Sequence, residues 1–408
     1  MENQFEFSPR LKKISFGLMA VGIIALIIGV TGVFGAQGDE AHHIASNRLW
    51  SNILINGFFF FGLSIIGTFF LSIQYAAEAA WATTLKRILE AVSSYVPMGG
   101  VVLILVFAAG SLHFHHLYHW MDPEVFDVDS PKYDAIIAAK EAYLNLPFFW
   151  FRTLLYLGVW TFFTHRFRKR SLLEDQEGGT NLHFKNVRDA AIFLVFFGYT
   201  SSTASWDWVM SIDTHWYSTL FGWYVLSGMW ISSLVVVSLL IIYLQSIGKL
   251  KSINANHMHD LGKWIFAISF LWTYLFFSQF MLIWYSNIPE ETTYFIARIT
   301  EYPILYWGMF ASNFLVPMLF LMDRDNKRNK TFVVVVGLIV LIGHWMDTYL
   351  LITPGTMKDH SHIGFLEIGM ALGFVGMFSY VVLNSLANRP LMVEKHPYLD
   401  ESLHHEIH

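Results

Sequence analysis

The sequence predicts an all-α integral membrane protein of ten transmembrane helices. Three observations predict it. First, the 408 residues are 55% hydrophobic and only 14% charged. A soluble domain carries about a quarter charged residues, so there is too little charge here to cover a water-facing surface. Second, apolar runs of the roughly 20 residues needed to cross a bilayer recur along the whole chain. Third, those runs are apolar on every side, unlike an amphipathic soluble helix. They also lack the alternating polarity of an outer-membrane barrel strand.

In chain order the runs are 14–36, 52–77, 94–117, 147–167, 188–210, 216–245, 261–286, 303–322, 331–353 and 364–387. The first follows Lys12 and Lys13 and has no small-residue cleavage site before the next polar stretch. It therefore predicts a span and not a cleaved signal peptide. The intervening loops are short, and no segment is long enough for a separate soluble domain. The chain is thus expected to be one polytopic domain, 1–408, with a tail at 388–408. The 17% aromatic content, with 18 Tyr and 15 Trp, fits residues that collect at membrane interfaces.

Orientation follows from basic residues. The amino end, the tail and the loops after the second, fourth, sixth and eighth runs hold 20 of the 26 Lys and Arg. The opposite loops hold Arg48, Lys132, Lys140, Arg298 and Lys358. Positive residues favour the cytoplasmic side, so both ends are expected in the cytoplasm. The longest outer loop, 118–146, is acidic. The tail residues His396, His404, His405 and His408 are expected to be solvated.

Composition also excludes chemistry. With no cysteine the chain offers no ligands for a Cys-held iron–sulfur cluster, no c-type haem attachment and no thiol nucleophile. A net charge of −5 gives no reason to expect a nucleic-acid partner.

Ionisable groups in the hydrocarbon core cost at least about 2.5–3.5 kcal/mol each, so those inside the runs are candidate functional residues. Apart from Asp189 at the edge of its run, three carboxylates qualify: Asp207, Asp347 and Glu367. At about 1.5 Å per residue, Asp207, His113, His344 and Asp347 all fall in the outer half. If their helices pack together they form one polar pocket. Tyr199, Thr203 and Asp207 recur every four residues and are expected to share a helix face. His344 and Asp347 are three apart, a spacing at which a carboxylate can raise imidazole basicity and the couple can pass a proton. The run 113–119 contains His113, His115, His116 and His119, with His113 and His116 expected on one helix face. Each of these admits a plainer reading, as an interhelical hydrogen bond or an interfacial cap. Arg152 is expected to snorkel outward. Gln279 and Asn313 read as interhelical polar contacts.

Two segments carry a resemblance. One is Phe277-Ser278-Gln279-Phe280-Met281-Leu282-Ile283-Trp284-Tyr285-Ser286-Asn287-Ile288-Pro289-Glu290-Glu291. The other is Ser205-Trp206-Asp207-Trp208-Val209-Met210-Ser211-Ile212-Asp213 with His215-Trp216-Tyr217-Ser218. Both resemble the large membrane subunits of bacterial alternative complex III, relatives of the NrfD/polysulfide-reductase anchors. Chain length and Gly343-His344-Trp345-Met346-Asp347 look more like the F subunit than the C subunit. The resemblance implies two four-helix bundles, 52–210 and 216–353 (spans 2–5 and 6–9), with two peripheral helices.

It further implies a respiratory complex that oxidises quinol and reduces a c-type cytochrome or a terminal oxidase. Haem c and iron–sulfur clusters would lie on partner subunits, and this chain would bind no cofactor or metal of its own. Quinol would be near, with its clearer site in C. The candidates for a proton pathway or the quinol side are then Asp207, His344, Asp347, His113, His116, Thr203, Tyr199, Glu367 and Gln279. A purely structural anchor and a proton-coupled transporter are the competing functions. A transporter predicts broken helices around a midplane site. A haem b subunit needs His113 or His116 to face His344.

Overall fold

The computed structural model describes residues 4–358 and 362–406. Among them every regular element is helical, apart from an isolated bridge between Gln4 and Pro390. The main helices are α1 (Pro9–Gly35), α2 (Asp39–Ala76), α3 (Ala80–Ser111), α4 (Leu146–Glu177), α5 (Asn181–Trp208), α6 (Phe221–Ser246), α7 (Ala255–Ser286), α8 (Pro289–Glu301), α9 (Pro303–Leu321), α10 (Lys330–Met357) and α11 (Phe365–Ala387). Nine of these are long and apolar enough to cross a membrane: all but α5 and α8. The protein is therefore membrane-embedded.

Start signals are local. Ser8 accepts from the Leu11 amide before α1, and Pro9 pre-sets its first turn. Asn145 does the same for α4 through the Phe148 amide, 3.0 Å away. Asn254 opens α7 by accepting from the amides of Asn256 and His257.

The run expected at 188–210 is the helix α5, of 28 residues. Its cluster Thr200, Ser201, Ser202, Thr203, Ser205 and Asp207 leaves it too polar to qualify on composition. Ion pairs fix its direction. Arg152 near the start of α4 meets Asp207 near the end of α5, and Arg166 and Arg170 near the end of α4 meet Asp189 near the start of α5. The two helices are antiparallel over their shared length.

The core is organised around α2, buried over 94% of its most apolar stretch. It contacts α1, α3, α4, α5, α6, α10 and α11. On one side α2, α3, α4 and α5 pack in a ring; on the other α6, α7, α9 and α10 do. Helices α1 and α11 pack chiefly on each other, through small residues. A Cβ on Gly22 would sit 2.5 Å from the Gly373 Cα, and one on Gly369 2.7 Å from the Ala25 Cβ. Lipid gives no hydrophobic drive between helices, so such close backbone approach holds them together.

The tail departs from the solvated segment expected. It folds back over the helix ends, and His396 is 8% exposed. Ser402 Oγ donates to the Trp81 carbonyl at 2.9 Å, Lys395 Nζ to the Gln176 carbonyl at 2.7 Å, and His405 Nε2 meets Asp260 at 2.6 Å. His404 stays exposed, and His408 lies outside the described residues.

Replacing Gly373 with Leu should overpack the α1–α11 crossing at a cost of about 1–3 kcal/mol, read as a lower thermal midpoint in detergent. Gly17→Leu, with open space around its Cα, should leave the midpoint unchanged.

Candidate functional site: a buried aspartate held by neutral donors

The second ring of helices encloses a polar cluster on α10. His344 and Asp347 do share a face, with Nδ1 to Oδ2 at 3.8 Å, too long for a hydrogen bond. Asp347 is held instead by two neutral donors. The Tyr224 hydroxyl on α6 donates at 2.5 Å and the Trp272 indole on α7 at 3.1 Å. Asn313 Nδ2 on α9 meets His344 Nδ1 at 3.2 Å. Four helices thus meet in one cluster, two of them donating to Asp347 and the α9 residue Asn313 to its neighbour His344. All five side chains are buried. Among the described residues His344 Nε2 and Asn313 Oδ1 have no hydrogen-bond partner.

Local backbone chemistry explains how they meet. Pro317 has no N–H, so the carbonyl of Asn313 loses its helical donor. The chain runs there as a π-turn over Ala311–Leu315, a distortion that turns Asn313 inward. Gly343 admits it: a Cβ there would sit 2.1 Å from Asn313 Oδ1. Gly228 similarly leaves room for His344, whose Nδ1 would be 3.2 Å from an added Cβ.

Toward the α8 side of this cluster lies Arg298, 4% exposed. Pro354 deprives the Leu350 carbonyl of its donor, and Arg298 Nε supplies one at 3.0 Å. Its other nitrogens reach the Tyr294 carbonyl at 2.9 Å and Asp213 at 3.0 Å. Its plane lies 3.3 Å from the Tyr294 ring centre.

Asp207 is not part of this cluster. Arg152 grips it with two bonds of 2.8 Å, and the guanidinium lies 3.9 Å from the Tyr143 ring and 4.1 Å from the Phe148 ring. Arg152 therefore turns inward to a counter-charge and does not snorkel. Thr203 is buried, but its hydroxyl returns to the carbonyls of Tyr199 and Thr200. Tyr199 is 73% exposed and faces outward. Each step of four residues rotates about 40° around the helix, so the expected row drifts off the face.

Glu367 is likewise neutralised. It accepts from Arg48 at 2.8 and 2.9 Å, from Asn52 at 3.1 Å and from the Gly364 amide at 2.8 Å, tying α2 to α11. Gln279 is buried on α7 two turns beyond Trp272.

His113, His115 and His116 are not helical, and His119 opens a short 3-10 turn over His119–Met121. Helix α3 ends at Ser111, and His113 adopts a left-handed φ of +58°. The Phe114 amide bonds the Ala109 carbonyl and the His113 amide the Gly110 carbonyl, a Schellman ending with His in the place Gly usually takes. His113 is exposed, and the His116 ring lies against His43 and His113. Neither reaches Asp207, Asp347 or His344. His115 is the buried member, with Nε2 3.0 Å from the Val106 carbonyl. Burial pushes its imidazole down to about 4. The expected single pocket is therefore three separate environments. Tyr224, Trp272 and the role of Pro354 escaped sequence reasoning; the prolines in α9 and α10 were the available signal.

The opposite ends of the helices carry charge pairs: Lys86 with Glu174 at 2.7 Å, Arg87 with Glu90 at 2.8 Å and with Asp175, and Asp189 with Arg166, Arg170 and Arg188. His396 of the tail packs here against His183. No protein-family model and no curated protein matches the chain.

Asp207→Asn should strand Arg152 and destabilise the protein by about 3–5 kcal/mol, measured by unfolding in detergent. The double change Asp207→Leu with Arg152→Met should recover much of that loss. A second outcome concerns the tail. Burial, with Lys86, His183 and Arg87 nearby, pushes the His396 imidazole down to about 2. Glu78 and Glu174 also face the cluster around it. A free tail takes up a proton below the ordinary histidine value near 6.5 and the docked tail does not. Docking should be strongest above that value and weaken as pH falls, read as faster tryptic cleavage at Lys395 near pH 5 than near pH 7.

Proposed function

We propose that this chain is a membrane subunit of a quinol-oxidising respiratory complex, of the alternative complex III type, and that Asp347 with His344 and Tyr224 handles protons. One observation carries the proton assignment. Of the carboxylates inside the apolar runs, Asp189, Asp207 and Glu367 each bind an arginine, whereas Asp347 is held, among the described residues, by the neutral donors Tyr224 and Trp272. Protonating an arginine-bound carboxylate breaks an ion pair and leaves a buried charge unpaired. A carboxylate between a hydroxyl, an indole and a nearby imidazole can gain or lose a proton without breaking an ion pair. The orphan His344 Nε2 and Asn313 Oδ1 offer places where a water can bridge onward.

The two motif segments and the F-like segment around His344 support the family reading. In that reading the chain crosses ten times, α5 included, because α4 and α5 run antiparallel over the same depth. The ring α2–α5 and the ring of α6, α7, α9 and α10 are its two bundles, both ends are cytoplasmic in a bacterial inner membrane, and Asp347 lies toward the outer face. Quinol oxidation releases two protons, and a base on that side suits the chemistry. Haem c and iron–sulfur centres belong to partner subunits, with quinol contact chiefly in the related C subunit. The Arg152–Asp207 and Arg48–Glu367 pairs favour a second role, as the scaffold that holds those partners.

In the purified complex, Asp347→Asn should lower quinol–cytochrome c turnover by on the order of 10²-fold, and Tyr224→Phe by less. The Arg152→Met, Asp207→Leu pair should leave it near wild type. Unchanged turnover and proton release in Asp347→Asn would remove the assignment. Mild-detergent purification should bring down a multi-haem cytochrome and an iron–sulfur subunit. The isolated chain should show no Soret band.

A further inference from the structure

We propose that Glu174, His183 and His396 bind a divalent transition-metal ion of the Zn²⁺ class, which pins the C-terminal segment to the helix ends. The three side chains come from the end of α4, the start of α5 and the tail. One potential ligand atom of each lies within 4.8 Å of those of the other two. All three residues are more than nine-tenths buried, at 0%, 2% and 8% exposure.

Burial of this kind normally comes with hydrogen bonds. Here Glu174 Oε1 and both nitrogens of His183 have none among the described residues. Unpaired buried polar atoms cost about 1–3 kcal/mol each, and one ion among them removes that cost. Beside them is a cavity of about 20 Å³, lined by Tyr75, Glu78, Lys86, His183 and His396 among others. That is enough for one water-sized sphere.

The donor set selects the metal. Two imidazoles and a carboxylate suit Zn²⁺ and its neighbours, whereas Mg²⁺ and Ca²⁺ prefer oxygen alone. Lys86 holds the other Glu174 oxygen at 2.7 Å. This places its positive charge behind the carboxylate, as an outer partner that fixes ligand orientation. Glu78 stands at the mouth with Oε1 3.9 Å from His183 Nε2. It supplies an oxygen for a fourth position and offsets the lysine.

The consequence is mechanical. Residues 390–405 run as a strap from α4 and α5 across the start of α3 to α7, where His405 meets Asp260. The ion fixes the strap near its beginning. The inference does not rest on the respiratory reading.

The test uses the full chain in nanodiscs, stripped with chelator, equilibrated with zinc and desalted. Elemental analysis should find about one zinc per chain, as expected of a closed site. Glu174→Gln and His396→Gln should each lose it, and His404→Gln, on the exposed part of the tail, should keep it. Cobalt loading of the wild type should give the visible bands of a four-coordinate ion, which reports the site without any variant having to fold. Zinc should also slow tryptic cleavage at Lys395. Wild-type protein that retains no zinc and shows no such cobalt bands overturns the proposal. So does zinc that is lost with His404→Gln but kept in His396→Gln.

Discussion

A carboxylate taken out of water must find a partner inside the protein, and that requirement sets how these helices sit. Arg152 with Asp207 joins α4 to α5. Arg48 with Glu367 joins α2 to α11. Lys86 with Glu174 joins α3 to α4. Each pair fixes a crossing where apolar side chains alone would leave register loose, because lipid competes equally well for leucine. Asp347 stands apart from this pattern. Its partners are a hydroxyl and an indole, so its charge is not locked by an opposite charge.

The same requirement acts on the backbone. Pro317 and Pro354 each leave a carbonyl without its helical donor, in surroundings where water cannot replace it. The chain answers the first with a π-turn that carries Asn313 inward, and the second with Arg298. Both answers fall on the side of the second helix ring that holds Asp347. The break in regular helix and the buried acid are thus parts of one arrangement, and Gly343 is the residue that lets them approach.

The membrane class was readable because apolar runs are local. So was the His344–Asp347 face, since a separation of three residues suffices to place both. Partners were not readable. Arg152 and Asp207 are 55 positions apart, and Tyr224 and Asp347 are 123 apart. Nothing local distinguishes an arginine that snorkels from one that turns inward. The histidine run misled for a different reason. Its hydrophobic context continues past Ser111, but the helix stops in a left-handed turn at His113, where the usual glycine signal is missing. The tail looked polar enough to be solvated, and its docking depends on residues from α3, α4, α5 and α7 that only the fold brings together.

The central claim is that Asp347 changes its protonation during turnover while Asp207 does not. The most direct measurement is the infrared difference spectrum of the assembled complex on addition of quinol, in the carboxyl C=O region. The account predicts a band that disappears in Asp347→Asn and persists in the Arg152→Met, Asp207→Leu protein. A band that survives Asp347→Asn, or that is lost with the Asp207 pair, would contradict it.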